Sequence, residues 1–409
     1  MGGVERSGSG RDPTLDVLRG LTIAAVTAYH FHADTRGLAL PPDLPHAFLA
    51  AVRAHDPRGA LGTVARICVA APAYRLDLFL FVTGVVLARA PRRPTVELWK
   101  RRARDVLPNY WLGSVAVAAV LVVLAALRSA LLGTPLGNEI HDGTRLARAP
   151  YVFDALDLAR SLAVLGRFED VRCFQVVAPS MWYVLLLLQA YLLFPALRAL
   201  RDRVGAPAFL AAVLALTALG RWLVFRFDPL ARFGPNPTVL YFIPFRLAPV
   251  ALGMVASAGM GRAWRAPRRA LAYAIALPAL AWVAITFGLA ARSNQPGTLA
   301  GVVGPVAPLA LGIPALLWLA LAARLTPGLG AGLGWAGQHS LSILVVQDAL
   351  RLVVGTLVRF DVTLERWFWV LLVPYLGASA LLARGWDPLA ARFRDRIWPL
   401  PPRSPRASA

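Results

Sequence analysis

Apolar residues along this chain are grouped into runs close to 20 residues long, separated by short polar and basic connections. A run of that length crosses the hydrocarbon core of a bilayer when it forms an α-helix. The pattern therefore predicts an all-α fold, a polytopic transmembrane helical bundle of about ten spans. The predicted spans cover residues 15–32, 75–90, 108–127, 181–198, 206–223, 238–258, 270–290, 300–322, 333–356 and 366–383.

Composition and charge agree with a membrane protein. The chain is 57% hydrophobic and 16% charged, with a mean hydropathy of +0.58, whereas soluble domains average about 25% charged residues. A net charge of +21 is also typical of nucleic-acid-binding proteins. Here, however, the basic residues lie in short connections between apolar runs, where they anchor a chain at the inner leaflet. We therefore expect a lipid bilayer as partner and no nucleic acid.

The same basic connections predict the orientation of the chain. The densest of them, residues 89–107, is expected on the inner side, which with ten spans places both termini in the cytoplasm. The first run has no small-residue cleavage site, so we interpret it as a retained span in a multi-pass protein of the cell inner or plasma membrane. The predicted organisation is a disordered cytoplasmic tail at 1–12, a transmembrane domain at 13–384 and a basic, proline-rich cytoplasmic tail at 385–409.

Two segments predicted to lie outside are longer than simple turns. Residues 33–74 contain apolar stretches that are compatible with interfacial or re-entrant helices. Residues 128–180 are polar and include Glu139, a pattern that fits either a lid facing an acceptor or a solvated loop. Each segment holds one cysteine, Cys68 and Cys173, which allows either a single disulfide or two free thiols.

The first predicted span carries a charged and a titratable side chain, Arg19 and His30. Eleven residues separate them, which on a helix places them roughly 20° apart around the axis and about 16 Å apart along it. Ionisable groups inside membrane helices are rare and often mark a working site. The alternative is that Arg19 reaches the headgroups and His30 caps the outer end of the helix. The spacing alone leaves both interpretations open.

Few other motifs indicate chemistry. No phosphate-binding lysine loop, dinucleotide-binding glycine pattern or zinc-protease helix motif is present in the sequence. The histidines lack the spacing of metal ligands, so we expect no metal site. A histidine is well suited to take a proton from a hydroxyl near neutral pH. Arg101, Arg102 and Arg104 in the basic connection suit phosphate groups, although anchoring at the inner leaflet also explains them.

Three further charged residues lie within predicted spans. Asp77, near the edge of the second span, is expected to form a structural link with Arg75 or Arg19, with a catalytic role as the alternative. Asp348 and Arg351 are three residues apart on the ninth span, so they share a helix face and are predicted to form a structural ion pair.

Several short motifs follow one another in a recognisable order. They are Leu15, Asp16, Leu18, Arg19 and Gly20 with His30; Asp77 to Gly84; Arg101, Arg102 and Arg104 with Pro108, Tyr110 and Trp111; Trp182 with 191–195; 245–247 with Gly253; and 333–334 with 340–341. Each motif is weak alone. Their order and spacing together resemble the membrane acyltransferases usually called acyltransferase family 3, from about residue 12 to 350.

The chain departs from the family pattern at several positions. Leu187 and Leu188 stand where many sugar-modifying members carry an acidic pair. Pro249 stands in place of a common glutamate, Val345 in place of a frequent histidine, and Asp105 in place of a frequent arginine. The resemblance therefore does not imply a surface polysaccharide as acceptor.

The resemblance implies an acyltransferase that transfers groups other than amino-acyl groups. It would move an acyl group, acetyl or another short one, from cytoplasmic acyl-CoA to a hydroxyl of a glycan, glycolipid or secreted metabolite. Acyl-CoA would be the donor substrate, with no bound cofactor. His30 would be the general base, and Arg19 would hold the donor or stabilise negative charge. Arg101, Arg102 and Arg104 would bind the CoA phosphates.

Two other classes of function remain compatible with the residues. One is a secondary transporter or exporter in which Arg19 and His30 couple transport to protons, although no inverted repeat is visible in the sequence. The other is a non-catalytic membrane partner of an envelope machine, which would tolerate substitution at both positions.

Overall fold

The computed structural model of the chain describes residues 12–36, 73–143, 179–227, 243–263, 306–359 and 367–399, with scattered positions within 50–63, 159–163 and 275–282. Over these ranges the regular structure is helical, with no strand. The helices are α1 (Pro13–Arg36), α2 (Ala73–Arg89), α3 (Thr95–Leu132), α4 (Leu136–Gly143), α5 (Trp182–Val204), α6 (Ala206–Phe227), α7 (Leu247–Ala263), α8 (Val306–Leu325), α9 (Leu329–Gln338), α10 (Ser340–Arg359) and α11 (Phe368–Ile397), with short 3-10 turns at Pro179–Met181 and Ile243–Arg246.

Several of the described helices can cross a bilayer. By length and composition these are α3, α5, α6, α10 and α11, and the bent pair α8–α9 adds a sixth crossing if it counts as one span. An all-helical, multi-pass membrane architecture is therefore confirmed. Ten spans and cytoplasmic termini stay predictions, and the predicted span 270–290 lies almost wholly outside the described residues.

Helix α1 lies at the centre of the bundle. It packs against α2, α8, α9, α10 and α11, and its most extensive contact is with the short helix α9. The two helices touch through glycines: a Cβ atom on Gly20 would come within 1.9 Å of the carbonyl oxygen of Leu333. A Cβ atom on Gly337 would come within 1.8 Å of the carbonyl oxygen of Asp16. Small residues let membrane helices approach this closely, and here they bring two backbones into contact.

A second glycine crossing joins α2 to α7. A Cβ atom on Gly84 would lie 2.2 Å from the carbonyl oxygen of Val250, and one on Gly253 would lie 2.0 Å from that of Phe81. The contact between α2 and α7 is nearly as extensive as that between α1 and α9. Two glycine-mediated helix pairs thus form the tightest part of the described bundle.

The basic connection after the second span is largely helical, which differs from the sequence prediction. From Thr95 onward it forms the first turns of α3, a helix of 38 residues. At 1.5 Å per residue this helix is about 57 Å long, against about 30 Å for the hydrocarbon core. Good helix formers fill residues 97–104, and the first proline inside the helix is Pro108. The apolar third span therefore continues the basic helix without a break.

The predicted ninth span, 333–356, is divided at His339 into α9 and α10. Helix α9 is bent by 119° relative to α8. The turn between α8 and α9 contains Gly328, whose φ of +77° lies in the left-handed region that favours glycine. This bend lays α9 across α1, whereas the sequence predicted a single span from 333 to 356.

Glu139 of the polar segment 128–180 is buried rather than solvated. Glu139 on α4 is fully buried, and its carboxylate accepts a hydrogen bond from Nε of Arg128 at 2.9 Å. Arg128 also donates to the hydroxyl of Thr356 on α10. Glu139 therefore ties α4 to α3 and α10 and is not part of a solvated loop.

Candidate active site on the first helix

Helix α1 connects two polar regions at opposite ends of the bundle. We call the end that holds Asp16 and Arg19 the N-terminal face, and the end that holds His30 and Asp34 the opposite face. Contacts from other helices mark the N-terminal face: Arg324 on α8 donates to Thr14, and the side-chain amide of Gln338 on α9 lies 3.4 Å from a carboxylate oxygen of Asp16.

On the opposite face, His30 contacts a serine that lies before α5. Nδ1 of His30 is 3.2 Å from Oγ of Ser180. The same Oγ is 2.5 Å from Oδ1 of Asp348, and the backbone N–H of Ser180 donates to Oδ2 of Asp348 at 2.9 Å. Ser180 and Asp348 are 3% and 0% exposed, so this network is screened little by solvent. His30 therefore shares a buried hydroxyl with a carboxylate.

Arg351 joins this group to α1. Its Nε and Nη2 donate to the two carboxylate oxygens of Asp34 at 2.7 and 2.9 Å, the forked geometry of a strong arginine–carboxylate pair. Its Nη1 lies 3.3 Å from Oγ of Ser180 and 3.6 Å from Oδ1 of Asp348. The predicted pair of Asp348 and Arg351 is confirmed. However, it extends to His30 and is not an isolated structural link.

Sequence reasoning missed Ser180 and Asp34. Asp34 follows His30 by four residues, so both lie on one face of α1, and an acidic residue just beyond an apolar run was the available signal. Ser180 had no comparable signal, because it lies 150 positions from His30 and only the fold brings them together.

Arg19 lies at the N-terminal face, half-buried, with Nη1 3.4 Å from Oδ1 of Asp16. Across the bundle, Arg102 of α3 places its guanidinium carbon 5.4 Å from the centre of the Tyr191 ring. The positive charges of Arg19 and Arg102 both act on the Tyr191 hydroxyl. Arg102 thus contacts Tyr191 directly, whereas Arg19 acts on it through its charge.

The three predicted phosphate-binding arginines do not form one cluster. Arg102 faces Tyr191 on α5, and Arg104 forms an ion pair of 3.0 Å with Asp395 on α11. Arg101 is exposed. Successive helical residues are 100° apart, so one stretch of α3 presents its arginines to different neighbours. Of the three, Arg102 is the one whose charge acts on Tyr191 together with that of Arg19.

Asp77 has a different partner from either of those predicted. Nη1 of Arg246, which comes just before α7, donates to its carboxylate at 2.7 Å, and both side chains are buried. Arg19 lies with Asp16 instead, and the side chain of Arg75 is outside the described residues. A structural link at Asp77 is therefore present, but it joins α2 to the start of α7.

No group of three or more histidine, cysteine, aspartate or glutamate side chains that could hold a metal ion is found where the structure describes the chain. Cys68 and Cys173 both lie outside the described residues, and so does the side chain of Trp182. Both alternatives for the two cysteines, a disulfide or two free thiols, therefore stay predictions.

Comparison with known proteins gives one match. A family model described as an acyltransferase domain, that of acyltransferase family 3, matches residues 12–383, nearly the whole chain. Neither the curated proteins nor the solved structures give a match. The matched region contains α1 to α10 and about half of α11, and with them every residue of both polar regions on α1. The chain therefore belongs to acyltransferase family 3 and is a multi-pass membrane acyltransferase.

Proposed function

We propose that this protein transfers a short acyl group from cytoplasmic acyl-CoA to a hydroxyl-bearing acceptor at the cell inner or plasma membrane. The observation that carries the proposal is the placement of His30 and Arg19 on one central helix. His30 contacts Ser180, which in turn contacts Asp348 and Arg351, at one end, and toward the other end the charges of Arg19 and Arg102 act on Tyr191. The acceptor is a glycan, a glycolipid or a secreted metabolite.

His30 is the general base in this proposal. It takes the proton of the acceptor hydroxyl while the oxygen attacks the thioester carbonyl. The new C–O bond forms, the C–S bond breaks, and CoA leaves as a thiolate that regains a proton when His30 returns to its neutral form. Arg19 holds the donor or stabilises the negative charge that develops in this water-poor setting.

The separation of the two polar regions fits the shape of the donor. CoA carries its phosphates and its thioester at opposite ends of an extended arm. Arg19 and His30 are about 16 Å apart along α1, estimated from the helical rise. With phosphates near Arg102 and Arg19, the thioester can extend toward His30. Arg101 and Arg104 contribute positive charge to the same face, with Arg104 also paired to Asp395.

The proposal is tested with purified protein in detergent, radiolabelled acetyl-CoA and an extract of envelope lipids and secreted metabolites. We expect label to appear in an acceptor with the parent protein and to fall at least about a hundred-fold with His30→Gln, since general bases contribute roughly that much or more. His32→Gln is the matched control. His32 lies two residues further on α1 and packs edge-on against Phe368, 5.6 Å between ring centres.

Equal labelling by His30→Gln and the parent protein would contradict the mechanism. Proton-coupled flux of a substrate in liposomes, without any acyl transfer, would support the transporter instead.

A further inference from the structure

The hydroxyl of Ser180 has three polar neighbours. They are Oδ1 of Asp348 at 2.5 Å, Nδ1 of His30 at 3.2 Å and Nη1 of Arg351 at 3.3 Å. A serine hydroxyl carries one hydrogen and accepts through two lone pairs. The three contacts therefore use its full capacity, and the position of that one hydrogen decides the protonation of the imidazole.

The shortest contact places the hydrogen toward Asp348. A hydroxyl that donates to a carboxylate makes a bond of about 2.5–2.7 Å, shorter than one between neutral groups. The backbone N–H of Ser180 donates to Oδ2 of the same carboxylate, and Nη1 of Arg351 lies 3.6 Å from its Oδ1. An N–H group and a guanidinium can only donate, so the carboxylate accepts from both of them.

The remaining contacts then follow from donor and acceptor types. The guanidinium of Arg351 can only donate, so it takes one lone pair of Oγ. The other lone pair faces His30, and only a protonated Nδ1 can bond to it. In a neutral imidazole that has its hydrogen on Nδ1, Nε2 carries no hydrogen and can therefore accept a proton.

We propose that Ser180 and Asp348 are positioning residues that hold His30 as the Nδ1–H tautomer, with Nε2 as the basic atom. The assignment rests on the proposed function, because it names the atom of His30 that acts on the acceptor hydroxyl. Asp348 acts through Ser180 rather than by touching the imidazole.

The charges of the same group stabilise the imidazolium that His30 becomes after it has taken a proton from the acceptor. Among the described residues, the group contains two carboxylates, Asp34 and Asp348, and one guanidinium, Arg351. With both carboxylates ionised, one negative charge is in excess. A buried negative charge beside an imidazole stabilises the imidazolium that forms during proton transfer. Arg351 limits this excess and keeps both carboxylates in place.

The tautomer is measured directly by nitrogen NMR on protein labelled at histidine, with the His30 signals assigned by their loss in His30→Gln. We expect a protonated Nδ1 and an unprotonated Nε2 in the parent protein. Ser180→Ala removes the hydroxyl and is expected to give a mixture of tautomers. Ser342→Ala is the matched control, because Ser342 donates to Asp387 on α11, at the N-terminal end of α10.

The kinetic test uses the parent protein, Ser180→Ala and Ser342→Ala with labelled acyl-CoA. In Ser180→Ala we expect kcat to fall about ten- to hundred-fold while KM for acyl-CoA changes less than about two-fold, since the donor is not bound by this group. Ser342→Ala is expected to keep both values and the tautomer of the parent.

Protonated Nε2 in the parent protein overturns the assignment. So does Ser180→Ala if it leaves the tautomer unchanged, or if the tautomer changes and kcat does not. If the parent protein transfers no acyl group, the proposed function fails, and the nitrogen spectrum still decides whether Ser180 sets the tautomer.

Discussion

The crossing of α1 and α9 has no room for a side chain at Gly337, whereas Gly334, three residues earlier on the same helix, has room. A Cβ atom at Gly337 would lie 1.8 Å from the carbonyl oxygen of Asp16 and 2.9 Å from the amide nitrogen of Gly20. A Cβ atom at Gly334 would have Val17 Cγ2 as its nearest neighbour, at 3.9 Å. Replacing each glycine with alanine therefore separates close backbone contact from helix propensity.

The two substitutions are expected to change the free energy of unfolding in different directions. Alanine in place of glycine favours a helix by about 0.5–1 kcal/mol, so Gly334→Ala is expected to be neutral or slightly stabilising. In Gly337→Ala the contact must open from 1.8 Å to the 3.4 Å of ordinary packing. Both atoms belong to helical backbones, which cannot rotate away as a side chain can. Overpacking of this kind costs about 1–3 kcal/mol, which exceeds the propensity gain.

Thermal unfolding in detergent, followed by the folded fraction on size-exclusion chromatography after heating, measures the difference. About 1 kcal/mol shifts the melting temperature by roughly 2–4 °C in a domain of 150–250 residues and by less in a larger protein, so a decrease of about one to a few degrees is expected for Gly337→Ala alone. The close approach of α1 and α9 is wrong if Gly337→Ala has the melting temperature of the parent protein. It is also wrong if Gly334→Ala lowers the melting temperature as much as Gly337→Ala does.

Two further predictions concern charged groups. Asp77→Asn leaves Arg246 buried without its carboxylate, so it is expected to lower the free energy of unfolding by about 3–5 kcal/mol, and the double variant with Arg246→Gln should recover part of the loss in the same heating assay. Equal stability of the single variant and the double variant would contradict a buried ion pair between Asp77 and Arg246. Arg102→Ala is expected to raise KM for acyl-CoA about ten-fold, which is the equivalent of one charge-assisted contact. Arg101 is exposed, so Arg101→Ala is expected to raise KM less. Equal changes in KM for the two arginines would argue against a donor site beside Tyr191.

The sequence predicted the helical class and most helix positions, because an apolar run of known length is a local signal. It also drew attention to Gly20, Gly84 and Gly253 as members of short motifs, although not to their role. The structure places all three where helices cross with backbones in contact. A period of 3.6 residues shows which face of a helix is apolar, but it does not show which helix lies against that face.

For the same reason, the sequence does not show which residues pair with the buried charges. Asp77 and Arg246 are 169 positions apart, and Asp34 and Arg351 are 317 apart. Asp348 and Arg351 are separated by three residues, and this pair was the one that helical geometry could predict. The division at His339 was also hidden, since a short polar stretch such as 338–340 does not by itself interrupt a helix, and the bend before α9 depends on Gly328 and on contact with α1.

The position of α1 explains how a helix with Asp16, Arg19, His30 and Asp34 can belong to a membrane domain. It is not among the described helices that are apolar enough to cross a bilayer by composition. Its neighbours on several sides replace lipid, and the side chains of Asp16 and Asp34 are 5% and 1% exposed. Hydrophobicity is required only of surfaces that face lipid, so the most enclosed helix can carry the polar groups. The same enclosure lowers the local dielectric around His30 and strengthens its interactions with Asp348 and Arg351. Burial at the centre of the bundle and a capacity for acid–base chemistry are therefore two consequences of one packing arrangement.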